Sequence, residues 1–176
     1  TYYGGLTKKD VKMLTVSAVI GVLRGIIGQD GANIINALPV AKAKGIAIKE
    51  SKTETSSNYA NMIEIEIKSN GKTSCVRGTV FGNEPWLVNF NGFRFNVPMC
   101  GNMLFVSYRD VPGVVGVVGT ALGQNGISIQ QMAVADKAKQ AMMVITVDKA
   151  VSPVVCDKIK TAAKADIVRF VDIVDE

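Results

Sequence analysis

The run YRDVPGVVGVVGTALGQNGIS, from Tyr108 to Ser128, constrains the fold more than any other part of this chain, because it demands a strand, a tight turn and a helix start in quick succession. Pro112 fixes its own φ and pushes Val111 toward extended geometry, while Gly113 lets the backbone come close to whatever sits at the helix start. Amides near Gly113, Val114 and Val115 lack intrahelical partners and, with the helix dipole, can receive a carboxylate or a phosphate. Asp110 then stands where it can hold an ammonium group. Donors at one end and a negative acceptor at the other suit a free amino acid. The plainer alternative is turn chemistry alone, which Pro-Gly between a strand and a helix commonly serves.

The surrounding pattern is regular. MLFVSY reads as a strand, residues 113–125 as a helix, ISIQQMAV as a second strand and AMMVITV as a third after the polar connection Asp136 to Gln140. Ser152 and Pro153 mark the next helix as N-cap and first helical residue, with Val155, Ile159 and Ala162 on one face. IVRFVDIV completes a βαββαβ order, the ferredoxin-like split motif. In the first helix Gly116, Gly119 and Gly123 share one side, with Val115, Val118 and Leu122 turned to a core. Each interior glycine costs roughly 1 kcal/mol against alanine, so a close neighbour is implied, either within the domain or on a second helix or subunit.

Before Asn102 the pattern differs. Thr7 and Asp10 resemble a capping box, and Met13, Val16, Ile20, Leu23 and Ile27 trace a helical stripe ending at Gly28. ALPVAKAK reads as a short second helix stopped by Gly45, after which GIAIKESKTE begins an extended stretch. MIEIEIK alternates, and Asn70-Gly71 is the preferred two-residue turn into KTSCVRGTVFG. EPWLVNF, Asn91-Gly92 and FRFNV suggest a further hairpin, with Met62 and Trp86 as core or edge packing. The expected fold is therefore α+β in two domains: residues 1–100 with helices on an antiparallel sheet, and residues 101–176 as the ferredoxin-like unit.

Composition removes several function classes. With 176 residues and 48% hydrophobic content the chain buries a real core. It has no apolar run near the roughly 20 residues of a membrane span and no signal-peptide order in TYYGGLTKKD; its abrupt start there suggests a cut from a longer polypeptide. Without histidine, neither Ser/His/Asp nor Cys/His systems can be assembled. Cys75, Cys100 and Cys156 show no CxxC spacing and are odd in number, so no disulfide framework or zinc ribbon is indicated and a reducing compartment, cytoplasm or plastid, fits. Cys75 and Cys156 read as core residues and Cys100 as more exposed. A formal charge of +5 is spread among acidic residues, which disfavours nucleic acid, and AMMVITV offers no aromatics for base stacking.

Glu64 and Glu66 point to one strand face, as a general acid/base pair requires, but with the apolar Ile63, Ile65 and Ile67 accounting for the opposite face they read as the wet face of the strand. Arg77 and Arg94 are the plausible contacts for an anion. The glycines of GVLRGIIGQDG and VFGNEPW do not open a dinucleotide fingerprint, because neither group follows a strand in a βαβ unit. No catalytic constellation or metal motif emerges.

These segments resemble a known family. RDVPGVVGVVGTALGQNGISIQQMAV resembles an ACT domain, and SYRDVPGVVG is similar to the version that ends long-form D-3-phosphoglycerate dehydrogenases. GGLTKKDVKMLTVSAVIGVLRGII, INALPVAKAKGI, ESKTETSSNYANMIEI and RGTVFGNEPWLVNFNGFRFNVP resemble, in the same order, the intervening allosteric substrate-binding domain of those enzymes. The resemblance implies a regulatory fragment, non-catalytic by itself, of an NAD-dependent enzyme that oxidises 3-phosphoglycerate toward L-serine. NAD would belong to catalytic domains outside this chain. It further implies self-association through the ACT domain and an effector, L-serine or a related amino acid, at the interface. By position, Tyr108 and Asp110 would contact it, the backbone of Val111, Pro112, Gly113 and Val114 would meet its carboxylate, and Ser128 of a second copy would complete the pocket. Serine-binding members carry asparagine at the Ser128 position, in a GxNI pattern that here reads GISI. The alternative is an ACT-type module that regulates a different metabolic enzyme.

Overall fold

A computed structural model describes residues 1–54 and 59–173. Packing divides the chain into two units, residues 1–65 and 66–176. The first comprises β1 (Tyr2–Gly4), α1 (Lys12–Ile27), α2 (Ala37–Ala43), β2 (Lys52–Thr53) and the first half of β3 (Asn61–Ser69). β1 runs parallel to β2 and antiparallel to β3. The Thr7–Asp10 capping box does not form. A 3-10 turn over Gly5–Lys8 intervenes, so Thr7 donates to the Gly4 carbonyl at 2.7 Å and Asp10 accepts the Lys12 amide at 3.0 Å. α1 ends at Gly28 as its pattern predicts.

Val16, Val19 and Leu23 of α1 pack on Ala37 and Ala41 of α2, with Ile20 and Ile27 partly buried beside them; Met13, expected in this stripe, is 54% exposed. Below the helix, the Tyr2 hydroxyl and Thr15 Oγ1 lie 2.7 Å apart, and Thr15 donates to Glu50 at 2.6 Å. Thr15 has a single hydroxyl proton, so Tyr2 is the donor to Thr15. On β3 Met62 is buried, Glu64 accepts the Tyr3 hydroxyl at 3.3 Å and Glu66 pairs with Lys68 at 2.9 Å. The two carboxylates thus have separate structural partners.

In the second unit Asn70 and Gly71 both take positive φ, 51° and 72°, and turn the chain into β4 (Lys72–Phe81). β5 (Glu84–Phe90) and β6 (Phe93–Pro98) continue the antiparallel meander through a second such turn at Asn91-Gly92. Then come β7 (Gly101–Arg109), α3 (Val114–Gln124), β8 (Ile129–Lys137), β9 (Gln140–Val147), α4 (Pro153–Ala162) and β10 (Ile167–Ile173), with sheet order β10-β7-β9-β8. This is the expected ferredoxin-like arrangement. Ser152 caps α4, accepting the Val155 amide at 3.4 Å, and Pro153 opens it. Val174, the last residue of the strand read from the sequence, lies outside the described residues, as do residues 55–58 of the segment ESKTETSSNYANMIEI.

β9 explains why its own sequence lacks alternation. Ala141, Met143, Ile145 and Val147 face α3 and α4, whereas Met142 and Val144 pack with Leu87, Phe93, Phe95 and Val97 of β5 and β6 and with Met103 of β7. Phe90 stacks obliquely on Phe105, with ring centroids 5.9 Å apart, and ties β5 to β7. A strand buried on both faces is apolar throughout. Each fully buried large side chain there stabilises the fold by roughly 1.5–3 kcal/mol. Division by packing therefore groups β4–β6 with the βαββαβ elements, a different cut from the change of sequence pattern near residue 100.

Two helix faces are rotated from expectation. Val114, Val118 and Leu122 are the buried residues of α3, while Val115 is 46% exposed. In α4 Val155 and Ile159 are buried, followed by Ala163 at the helix end, and Ala162 is exposed. A Cβ on Gly116, Gly119 or Gly123 would meet nothing within 4 Å. Tight packing inside the domain is therefore not what these glycines serve. Cys156 packs against the core, Cys75 is half-buried and Cys100 is exposed.

Candidate functional site

The turn after β7 carries most of the residues singled out by the sequence. The Asp110 amide donates to the Lys139 carbonyl at 3.0 Å, which anchors the end of β7 to the β8–β9 turn. Beyond Pro112 the chain reverses through Gly113, whose φ of 92° is left-handed, and α3 begins with the Val117 amide donating to the Gly113 carbonyl at 3.1 Å. No side chain caps this helix and no acidic residue stands in its first turn. The first-turn amides and the positive end of the dipole are therefore not engaged by any side chain of the helix itself. Asp110, Val111, Pro112 and Gly113 are exposed at this corner, and Val114 is buried beneath it.

Tyr108 sits differently. It is 3% exposed and belongs to the core beneath α3 and α4. Burial first, and the Asp110 carboxylate second, push its phenol above the ordinary value of 10.0, so it stays protonated and able to donate. Its place is under the turn, as a support for Asp110 two residues on. Gln140, which the sequence did not single out, bridges this end of the sheet: with its amide oriented to satisfy both neighbours, it donates to the Tyr108 carbonyl at 2.9 Å and to Asp166 at 3.3 Å.

Ser128 lies at the other end. β7 pairs Tyr108 with Ala141 but Asn102 with Val147, and β8 pairs Ile129 with that same Val147. Ser128 is thus more than one strand length, roughly 30 Å, from Asp110 in the same protomer. A single copy brings Tyr108 and Asp110 to Val114 together and leaves Ser128 apart, exposed at its own corner.

Arg77 and Arg94 lie elsewhere again. Both pair with Asn89, one from each side of β5, in a single row across β4, β5 and β6. Phe93 and Phe95 turn inward, so Arg94 between them faces outward and is exposed. Arg77 is half-buried. Of the glycines weighed against a dinucleotide fingerprint, Gly21 and Gly25 lie inside α1, Gly28 at its end, and Gly82 between antiparallel strands. Among the described residues, no helix is long and apolar enough to cross a membrane.

Comparison with known proteins agrees with this architecture. Residues 1–91 match the D-3-phosphoglycerate dehydrogenase intervening domain, and residues 102–164 match the ACT domain. The chain is 32% identical to D-3-phosphoglycerate dehydrogenase of Archaeoglobus fulgidus over 162 residues, covering 90% of this chain and 31% of that protein. It is 28% identical to the Bacillus subtilis enzyme over 177 residues, 98% of this chain and 33% of the relative. Against the Methanocaldococcus jannaschii enzyme it is 30% identical over 161 residues, 90% and 30% respectively. The chain thus spans about a third of the length of these relatives. An intervening domain followed by a ferredoxin-like ACT domain, matched in order along nearly the whole sequence, makes this chain a member of the D-3-phosphoglycerate dehydrogenase family and its regulatory region.

Proposed function

We propose that this chain binds an amino acid, L-serine in the first instance, at a site shared between two ACT domains and thereby regulates a tethered NAD-dependent D-3-phosphoglycerate dehydrogenase. The observation that carries the reading is the uncapped start of α3 at Gly113, with Asp110 exposed beside it. The first-turn amides would take the effector carboxylate and Asp110 its ammonium, with Tyr108 stiffening the turn from below. Ser128 of a second copy would supply the remaining hydroxyl. Self-association is supported by the open face at Gly116, Gly119 and Gly123, by exposed Val115 next to it in the helix, and by Val134, 48% exposed on the edge strand β8.

In this reading residues 1–100 form the intervening domain and residues 101–176 the regulatory domain, Arg77 and Arg94 serve as anion contacts, and the whole works in the cytoplasm. Effector binding would shift an equilibrium between domain arrangements, a coupling of typically 1–3 kcal/mol. Calorimetric titration of the folded chain with L-serine, glycine and phosphorylated three-carbon acids tests the proposal. L-serine is expected to bind at millimolar concentration or better, and Asp110→Ala to weaken it tenfold or more. No heat with any of these ligands, from a chain shown by sedimentation to be dimeric, refutes it.

A further inference from the structure

The corner that presents Ser128 is built by residues no sequence pattern drew attention to. β8 slips register between Ile129 and Gln131, so the regular ladder with β9 stops short of Ser128. Past the slip stands a two-point clamp: the Ser128 amide donates to Asp148 Oδ1 at 2.8 Å, and the Asp148 amide donates to the Ser128 carbonyl at 3.0 Å. A carboxylate thus stands in for the strand carbonyl that the slipped register withdraws. The loop is held further by the Ile127 amide, which donates to the Leu122 carbonyl at 3.0 Å, with Ile127 buried. Both main-chain groups of Ser128 are therefore used inside the chain while its side chain stays exposed.

From this geometry we infer that Asp148 is a positioning residue for the effector site: it fixes the backbone of Ser128 so that the hydroxyl is delivered at a set place and angle to the second copy. The inference rests on the proposed function and extends it to a residue that touches no ligand. A charge-assisted bond to a main-chain amide holds more firmly than a neutral one. Its loss lets the corner relax, and a hydroxyl, with its short reach, tolerates little displacement.

The test is calorimetric titration of the intact chain with L-serine for wild type, Asp148→Ala, Asp148→Asn, Ser128→Ala and the Ser128→Ala/Asp148→Ala double variant. Loss of one net hydrogen bond corresponds to about a fivefold weakening, which Asp148→Ala is expected to show. Asp148→Asn, which keeps the acceptor, is expected to restore affinity to within about twofold. In the Ser128→Ala background, Asp148→Ala is expected to have no further effect, because Asp148 acts through Ser128. If Asp148→Ala fails to fold, Asp148→Glu, which keeps the carboxylate but displaces it by one methylene, takes its place. Wild-type affinity in Asp148→Ala, or a fivefold loss that persists unchanged without the Ser128 hydroxyl, overturns the inference alone. Absence of serine binding by the wild type overturns the proposed function, and this role for Asp148 with it.

Discussion

Replacing Thr146 by valine should stabilise the protein, although it removes a polar atom from a β-strand. Thr146 is 6% exposed on β9, its Oγ1 is buried, and the hydroxyl has no hydrogen-bond partner among the described residues. Its cross-strand neighbours are Met103 on β7 and Gln131 on β8. Burying a hydroxyl without a partner costs about 1–3 kcal/mol. The methyl that replaces it gains about 0.8 kcal/mol of transfer free energy, offset by up to about 1 kcal/mol of crowding. The net expectation is about 1–2 kcal/mol of added stability. For a chain of this size that raises the thermal midpoint by roughly 2–8 °C. Trp86, the single tryptophan, lies on β5 in the same packing unit, so its fluorescence in a urea titration reports the relevant transition. Thr146→Ser serves as the control. It keeps the hydroxyl, loses the methyl and should destabilise by about 1 kcal/mol. A lower urea midpoint for Thr146→Val than for wild type, with the slope unchanged, would mean that the hydroxyl is satisfied and the reasoning wrong.

Two further outcomes concern the site and the core. Gly113→Ala should destabilise by about 1–2 kcal/mol through backbone strain alone, since an added Cβ at φ 92° meets nothing within 4 Å; Gly113→Asn, which tolerates the left-handed region better, should cost less in the same urea assay. The Cys156 thiol is pushed above its ordinary 9.0 by burial first and Asp157 second, against Arg169, so the folded state prefers it neutral. That contribution is whole below pH 9.0 and is lost as pH rises through the folded value. Cys156→Ala should therefore lessen the loss of stability as pH rises above 9.0, and an unchanged pH profile would refute this.

Much of the second unit was legible because its signals are local. A Pro-Gly turn, a Ser-Pro helix start and two Asn-Gly turns each act within about four residues, and the structure realises all of them. Helical phase was legible only to within one position: Val114 replaces Val115 and Ala163 replaces Ala162, because a stripe read at 100° per residue drifts where several neighbours are apolar. The cover that β5 and β6 give β9 was present in the sequence as a run, AMMVITV, broken only by Thr146, but such a run does not say what lies on each face. At the site, the turn and Gly113 were legible. Asp148 was not, since it meets Ser128 across a separation of 20 residues. Nor was the burial of Tyr108, which strand alternation alone assigns equally to either face.

The double burial of β9 also sets a clock. Its amides bond to β7 on one side and β8 on the other, with apolar layers above and below, so no small excursion can admit water to them. β8 and β10 are edges of that sheet and can fray singly. Opening β9 requires the helices, the flanking strands and the β5–β6 hairpin to part at once. Its hydrogens should exchange with solvent only as often as the whole unit unfolds, hours after those of the edges have gone, which gives any slow rearrangement at the rim a fixed internal reference against which to be timed.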